Sequence, residues 1–178
     1  FVLTLFTITW HLLQGVAQPA HALGGVLVLI LLIATPFGLL PDLFSFGPWM
    51  FIGFMLLLWT NDTGAYLVGR SLGRTKLLPA VSPKKTVEGL VGGILLTLCV
   101  AWLLAQQQPV LPTAQWLVVG AIIAITSTLG DLLESAFKRA RGVKDSGTIL
   151  PGHGGILDRF DGFFLAVPSV LLYLHLVR

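Results

Sequence analysis

Apolar runs occupy most of the chain, at roughly 1–13, 22–40, 48–68, 89–105, 115–137 and 162–178. A run of about 20 apolar residues is the length of a bilayer-spanning helix. In hydrocarbon the backbone must satisfy its own hydrogen bonds, which leaves helices or closed barrels. Of the 178 residues 55% are hydrophobic and 11% charged, whereas soluble domains average roughly 25% charged. The expected fold is therefore all-α: a polytopic transmembrane helical bundle with about six spans, forming a single integral-membrane domain over residues 1–178. The first run is short for a span. The chain opens at Phe1, already in an apolar segment and with no basic stretch ahead of it, so no signal peptide is read. Further N-terminal spans are expected to precede it.

Smaller features fit this frame. Pro36 is expected to kink or end the second helix. The joins 14–21 and 106–114 are short, polar and proline-containing, as turns at a membrane surface are. The opposite-side loops are read as 41–47 and 106–114. Cys99 is the single cysteine and reads as a small core or lipid-facing residue.

Charge is concentrated. Ten of the eleven basic residues fall in windows 70–85 and 138–159. Two spans separate these windows, so both face one compartment, and their Lys and Arg excess marks it as cytoplasmic. Seven of the eight acids lie in or beside the same windows.

The first window holds Asn61-Asp62-Thr63-Gly64-Ala65-Tyr66 and then Ser82-Pro83-Lys84-Lys85-Thr86-Val87-Glu88-Gly89. Ser82 and Pro83 read as an N-cap and first helical residue. Lys84 and Lys85 in a first turn would oppose the helix dipole unless an anion sits there. Two readings stand: a phosphate site, or a basic anchor touching lipid headgroups. Asp62, near the end of an apolar run, faces either a water-filled cavity or the interface.

The second window is more specific. Thr128, Asp131, Glu134, Ser135 and Lys138 share one face of a helix. A polar stripe at membrane depth marks a site by default, the plain alternative being an ion pair such as Asp131 with Lys138. A glycine-rich stretch follows, containing Arg139, Lys144, Asp145, His153, Gly154 and Gly155, and then Asp158-Arg159-Phe160-Asp161. Such loops can cradle phosphate oxygens with backbone N–H groups. Asp158 and Asp161 would share a face if helical, and carboxylates with few other donor types suit Mg²⁺. A lone His153 between glycines does not make a zinc site. Carboxylates, cations and glycine-rich loops at a membrane surface point to phosphoryl or nucleotidyl transfer to a lipid.

The run from Ser135 to Asp161, SAFKRARGVKDSGTILPGHGGILDRFD, resembles the signature of phosphatidate cytidylyltransferases (CDP-diacylglycerol synthases), and the first window is similar to that family too. Together these motifs cover about a third of the chain; family members usually carry further N-terminal spans. The resemblance implies transfer of a cytidylyl group from CTP to phosphatidate in phospholipid biosynthesis. It implies Mg²⁺, with a second cation open, held by Asp131, Asp158 and Asp161. Lys138, Arg139, Lys144 and Arg159 would neutralise phosphates, with Lys84 and Lys85 facing a phosphate as well. Ser135 and His153 would position substrate, and Asp145, Gly154 and Gly155 would line the substrate site. A bacterial cytoplasmic membrane, CTP, phosphatidic acid and bulk lipid are the expected surroundings. No nucleic-acid partner is expected, and a homodimer is left open.

Three rival readings differ in what they leave unexplained. Asp158-Arg159-Phe160-Asp161-Gly162 matches the opening of the CDP-alcohol phosphotransferase motif, but no Ala-Arg pair or second acid pair follows. An ion-coupled transporter would explain Asp131 and Glu134 but not the clustered glycines and cations. An ether-lipid phosphate as acceptor remains compatible with every motif.

Overall fold

A computed structural model of the chain describes residues 24–25, 27–28, 30–107, 110–140, 142–143, 146, 155 and 157–178. The described residues are mostly helical. A π-helical turn at Ile30–Ala34 leads into short helices α1 (Thr35–Gly38) and α2 (Leu40–Ser45). Three long helices follow: α3 (Pro48–Leu72), α4 (Val87–Gln107) and α5 (Thr113–Ala140). A 3-10 turn at Leu157–Arg159 precedes helix α6 (Phe163–Leu176).

Helices α3, α4 and α5 have 25, 21 and 28 residues and are long and apolar enough to cross a membrane. They coincide with the apolar runs at 48–68, 89–105 and 115–137. Many of their large apolar side chains point outward, including Trp59, Leu95, Trp102 and Leu129, all more than 50% exposed. A soluble monomer rarely leaves so much apolar surface uncovered; in a bilayer it faces acyl chains. Helix α6 has 14 residues, fewer than the roughly 20 a span needs. The run at 1–13 lies outside the described residues.

Three expectations need correction. The run at 22–40 is not one helix: from Ile30 it passes through a π turn into α1, with Pro36 in that helix's first turn. Proline cannot donate the intrahelical bond, and the ladder changes register just before it. The loop expected at 41–47 is largely helix, since α2 runs to Ser45. The window after α3 is not a helix start either. Lys76–Leu78 (β1) and Ser82–Thr86 (β2) form a two-stranded antiparallel ribbon, the one departure from an all-α fold among the described residues. Pro83 pushes the residue before it towards extended backbone, and a two-strand ribbon tolerates a residue that cannot donate. The cap falls to Thr86, whose Oγ1 accepts a hydrogen bond from the Gly89 N–H at 3.1 Å. Glu88 fastens the ribbon by accepting from the Arg74 and Thr75 N–H groups, each at 3.1 Å.

Close packing sets the helix positions. Helices α3 and α4 meet along small residues: a Cβ on Gly93 would lie 2.8 Å from Asn61 Oδ1 and 2.9 Å from the Asn61 carbonyl oxygen. Small residues spaced four apart, here Gly89 and Gly93, bring membrane helices into backbone contact. The apolar core lies where α3, α5 and α6 converge, around Phe54, Leu57, Trp116, Ile123, Phe163 and Val167.

Candidate functional site

The polar residues left by this packing gather at one end of the three long helices. Asn61, Asp62 and Tyr66 from α3, Lys84 and Lys85 from β2, and Asp131 from α5 line a cavity of about 400 Å³. The ribbon therefore carries the lysines over the stripe of α5. Lys85 forms an ion pair with Asp131. Ser135, one turn further along α5, donates a hydrogen bond to Asp131 Oδ1 at 3.3 Å. Asn61 is buried and donates from Nδ2 to Ser127 Oγ at 2.9 Å, tying α3 to α5 beneath the cavity. Lys84, the neighbour of Lys85, is exposed.

Asp161 joins this group from the turn before α6. A Cβ on Gly130 would lie 2.5 Å from the Asp161 carbonyl oxygen, so only glycine lets that backbone reach α5 beside Asp131. Burial first, and the neighbouring Asp131 charge second, push the Asp161 carboxyl up to about 6, against the Gly162 N–H that donates to Oδ1 at 2.7 Å and the charges of Lys85 and Lys138. Asp62 in turn lies within electrostatic reach of Asp161, Asp131 and Lys85. Asp62, Asp131 and Asp161 are thus an acidic group with Lys85 among them.

A second group lies further along α5. Lys138 pairs with Glu134 in the same helix and donates to Asp158 Oδ1 at 2.7 Å. The same carboxylate accepts from the Gly155 N–H at 2.7 Å, the Ser146 N–H at 3.0 Å and the Ser146 hydroxyl at 2.9 Å. Burial opposes ionisation of Asp158, yet Lys138 and these donors hold its carboxyl well below the usual carboxylate range. Asp158 thus ties both flanks of the glycine-rich stretch to the end of α5. Arg139 Nη1 donates to the Val143 carbonyl at 2.9 Å, and Arg159 is exposed on the 3-10 turn.

The expected metal trio is therefore distributed over both groups. Asp131 and Asp161 lie within electrostatic reach of one another, while Asp158 is turned to Lys138, Ser146 and Gly155. The two acids of the Asp158–Asp161 pair do not share a helical face, because the 3-10 turn ends at Arg159 and Asp161 lies in the turn ahead of α6. The ion pair of Asp131 with Lys138 is replaced by Asp131 with Lys85 and Lys138 with Glu134 and Asp158. Lys144, Asp145, His153 and Gly154 lie outside the described residues. Two participants stand outside the expected set: Asp62, whose signal was an acid near the end of an apolar run, and Tyr66, which the first window contains without an assigned role.

The donor chemistry of Asp62, Asp131 and Asp161 is all carboxylate oxygen, which fits a hard cation such as Mg²⁺. Among the described residues no three acidic or imidazole side chains converge on one coordination point. Lys85 instead places its ammonium against Asp131, a positive charge where such a cation would be stabilised.

Comparison with known proteins gives concordant matches. Residues 1–177 match the sequence profile described as the cytidylyltransferase family. A phosphatidate cytidylyltransferase of Bacillus subtilis (strain 168) is 50% identical over 123 residues, covering 68% of this chain and 45% of that protein. Its counterpart in Staphylococcus saprophyticus is 50% identical over 121 residues, with 67% and 46% covered. That of Staphylococcus aureus (strain COL) is 49% identical over 122 residues, with the same coverage. These alignments take in less than half the length of the relatives.

Proposed function

The chain belongs to the cytidylyltransferase family, and on that premise we propose that its protein transfers a cytidylyl group from CTP to phosphatidate, giving CDP-diacylglycerol and pyrophosphate. The observation that carries this reading is the single cavity in which Lys84 and Lys85 of the ribbon meet Asp62 of α3 and Asp131 of α5. Cations for phosphates and carboxylates for a metal stand together at the end of apolar helices, where a water-soluble nucleotide and a membrane lipid can meet. The names of the relatives supply the acceptor, phosphatidate. An ether-lipid phosphate would present the same headgroup chemistry and is the second reading.

The chemistry asks little acid–base work of the protein. The attacking group is a phosphate-monoester oxygen, ionised at neutral pH. It attacks the α-phosphorus of CTP, a P–O bond forms, and the bond from that phosphorus to the bridging oxygen breaks with departure of pyrophosphate. What remains is alignment and charge neutralisation. Lys84 and Lys85 neutralise phosphate oxygens. Lys138 and Asp158 hold the glycine-rich stretch against α5, so that its backbone N–H groups, with Arg139, Lys144 and Arg159, can meet the nucleotide. Ser135 and His153 are assigned to positioning substrate, and Asp145, Gly154 and Gly155 to binding it. Mg²⁺, held by Asp131 and Asp161, would supply the positive charge that lets carboxylates and phosphates share one site.

The remaining assignments follow from the same reading. On this reading the three long helices cross a bacterial cytoplasmic membrane, with both basic windows and the cavity on the cytoplasmic face. The test is direct: the full-length protein in phosphatidate-containing nanodiscs with labelled CTP and Mg²⁺ is expected to yield a CDP-lipid and pyrophosphate. Absence of both products from folded protein would refute the reading, and turnover only with an ether-lipid phosphate would favour the second one.

A further inference from the structure

The cavity does not end at its charged residues. On α3, Asp62, Tyr66 and Arg70 follow one another at four-residue intervals and all line it, each about 6 Å beyond the last. Tyr66 is 60% exposed. Arg70 Nη1 donates to the Tyr66 hydroxyl at 2.9 Å, and the guanidinium carbon lies 5.9 Å from the ring centroid. Leu77 of β1 also lines the cavity. The cavity therefore runs from carboxylates and lysines at one end to an open aromatic face with a fixed guanidinium at the other, over about 12 Å.

We propose that Tyr66 and Arg70 form the nucleobase subsite, with Tyr66 stacking on the cytosine ring and Arg70 donating to its O2 and N3. This rests on the reading of the cavity as a CTP site. A nucleotide whose phosphates lie between Lys85 and Asp131 extends its base away from them, along α3. Its ring needs a flat apolar partner, and aromatic side chains serve every base in this way. Selectivity then falls to Arg70. Guanidinium donates and cannot accept, and its five N–H groups leave donors beyond the one given to Tyr66. Cytosine offers acceptors at both O2 and N3, whereas N3 of uracil carries a hydrogen and would oppose a donor. The same pair could instead anchor α3 at the membrane interface, where tyrosine and arginine are common; in that role it would not distinguish one base from another.

The experiment uses full-length protein in nanodiscs, with equilibrium binding of labelled CTP measured beside steady-state turnover. Tyr66→Phe keeps the ring and is expected to keep most of the CTP affinity. Tyr66→Leu keeps apolar volume but removes the stacking face, and is expected to raise the Kd and KM for CTP by about tenfold while kcat changes much less. Arg70→Gln is expected to lower the preference for CTP over UTP, as a ratio of kcat/KM, by about tenfold. Unchanged CTP affinity in folded Tyr66→Leu, or unchanged base preference in folded Arg70→Gln, would overturn the subsite while leaving the CTP reading intact. A wild-type protein that binds no CTP would overturn both.

Discussion

Lys85, on a strand of the surface ribbon, forms an ion pair with Asp131 in the middle of the polar stripe of α5. This contact closes the first basic window onto the second and makes one cavity of two motifs far apart in sequence. The pair is about one-third exposed, at 27% and 31% for the two side chains. Ion pairs this accessible contribute at most about 1 kcal/mol to stability. Lys85→Gln is therefore expected to leave the melting temperature nearly unchanged and to lower CTP turnover by at least about tenfold, the cost of losing one charge stabiliser in the transition state. Equal activity per folded molecule would reduce Lys85 to a structural tether.

Gly130 is a geometric test of the site. A methyl group there would meet the Asp161 carbonyl oxygen at 2.5 Å, so Gly130→Ala must push the turn before α6 away from α5. The variant is expected to fold with a modest loss of stability, of about 1–3 kcal/mol for overpacking, and to lose most of its activity as Asp161 leaves Asp131. Full activity in Gly130→Ala would show that the approach of these two acids has no part in turnover.

Asp158 is expected to behave as the clasp of the glycine-rich stretch. Asp158→Asn removes the charge that Lys138 and the Ser146 and Gly155 donors stabilise, and limited proteolysis should then cut between residues 141 and 156 faster than in wild type. The pH dependence has a definite sign. A carboxyl whose folded value lies below its unfolded one, near about 3.9, gives stability that is present above that pH and is lost as pH falls through the folded value. Acid unfolding should therefore begin at higher pH in Asp158→Asn than in wild type. Identical cleavage and acid profiles would remove the clasp.

Orientation can be checked by labelling single cysteines at positions 76 and 141 in a Cys99→Ala background. Both are expected to react only from the cytoplasmic side, because ten of eleven basic residues lie in their two windows. Accessibility from opposite sides would break the arrangement.

The three long helices were legible in sequence because an unbroken apolar run of spanning length has few other uses. The ribbon was not. Ser82-Pro83 satisfies the local rules for a helix start, and what decides against it is Glu88 reaching back to the Arg74 and Thr75 N–H groups, a tertiary contact. The polar stripe of α5 was legible from its spacing, but its partners were not: the pair read from sequence was Asp131 with Lys138, whereas Asp131 pairs with Lys85 of the ribbon and Lys138 with Glu134 and Asp158. The close approach of the Asp161 backbone to Gly130 is a tertiary contact that no local pattern announces, and it sets Asp161 near Asp131 while Asp158 lies with Lys138. Asp62 carried a signal as an acid in an apolar run, yet its neighbours come from α5 and the turn before α6, which no local pattern joins.

The last prediction concerns the cation. Asp62, Asp131 and Asp161 bring negative charge to the place where two phosphorylated substrates would meet, and within the described residues Lys85 is paired with one of them. Phosphates entering such a site are repelled unless further positive charge arrives with them. Mg²⁺ is the expected source, since it takes oxygen donors and bridges phosphate oxygens. Turnover should vanish in EDTA and return with Mg²⁺ or Mn²⁺. Asp→Asn keeps size while removing charge, so Asp131→Asn and Asp161→Asn should each cost orders of magnitude in rate, several kcal/mol of lost charge stabilisation. The two acidic positions differ from Asp158 in what added metal can do. If Asp158 acts chiefly through the loop, Asp158→Asn should keep the wild-type Mg²⁺ dependence at a lower maximal rate. If it is a ligand, the Mg²⁺ concentration for half-maximal turnover should rise as it does for Asp131→Asn. Near wild-type turnover in both Asp131→Asn and Asp161→Asn at saturating Mg²⁺ would show that these acids only balance Lys85, and the catalytic assignment of the cavity would fail.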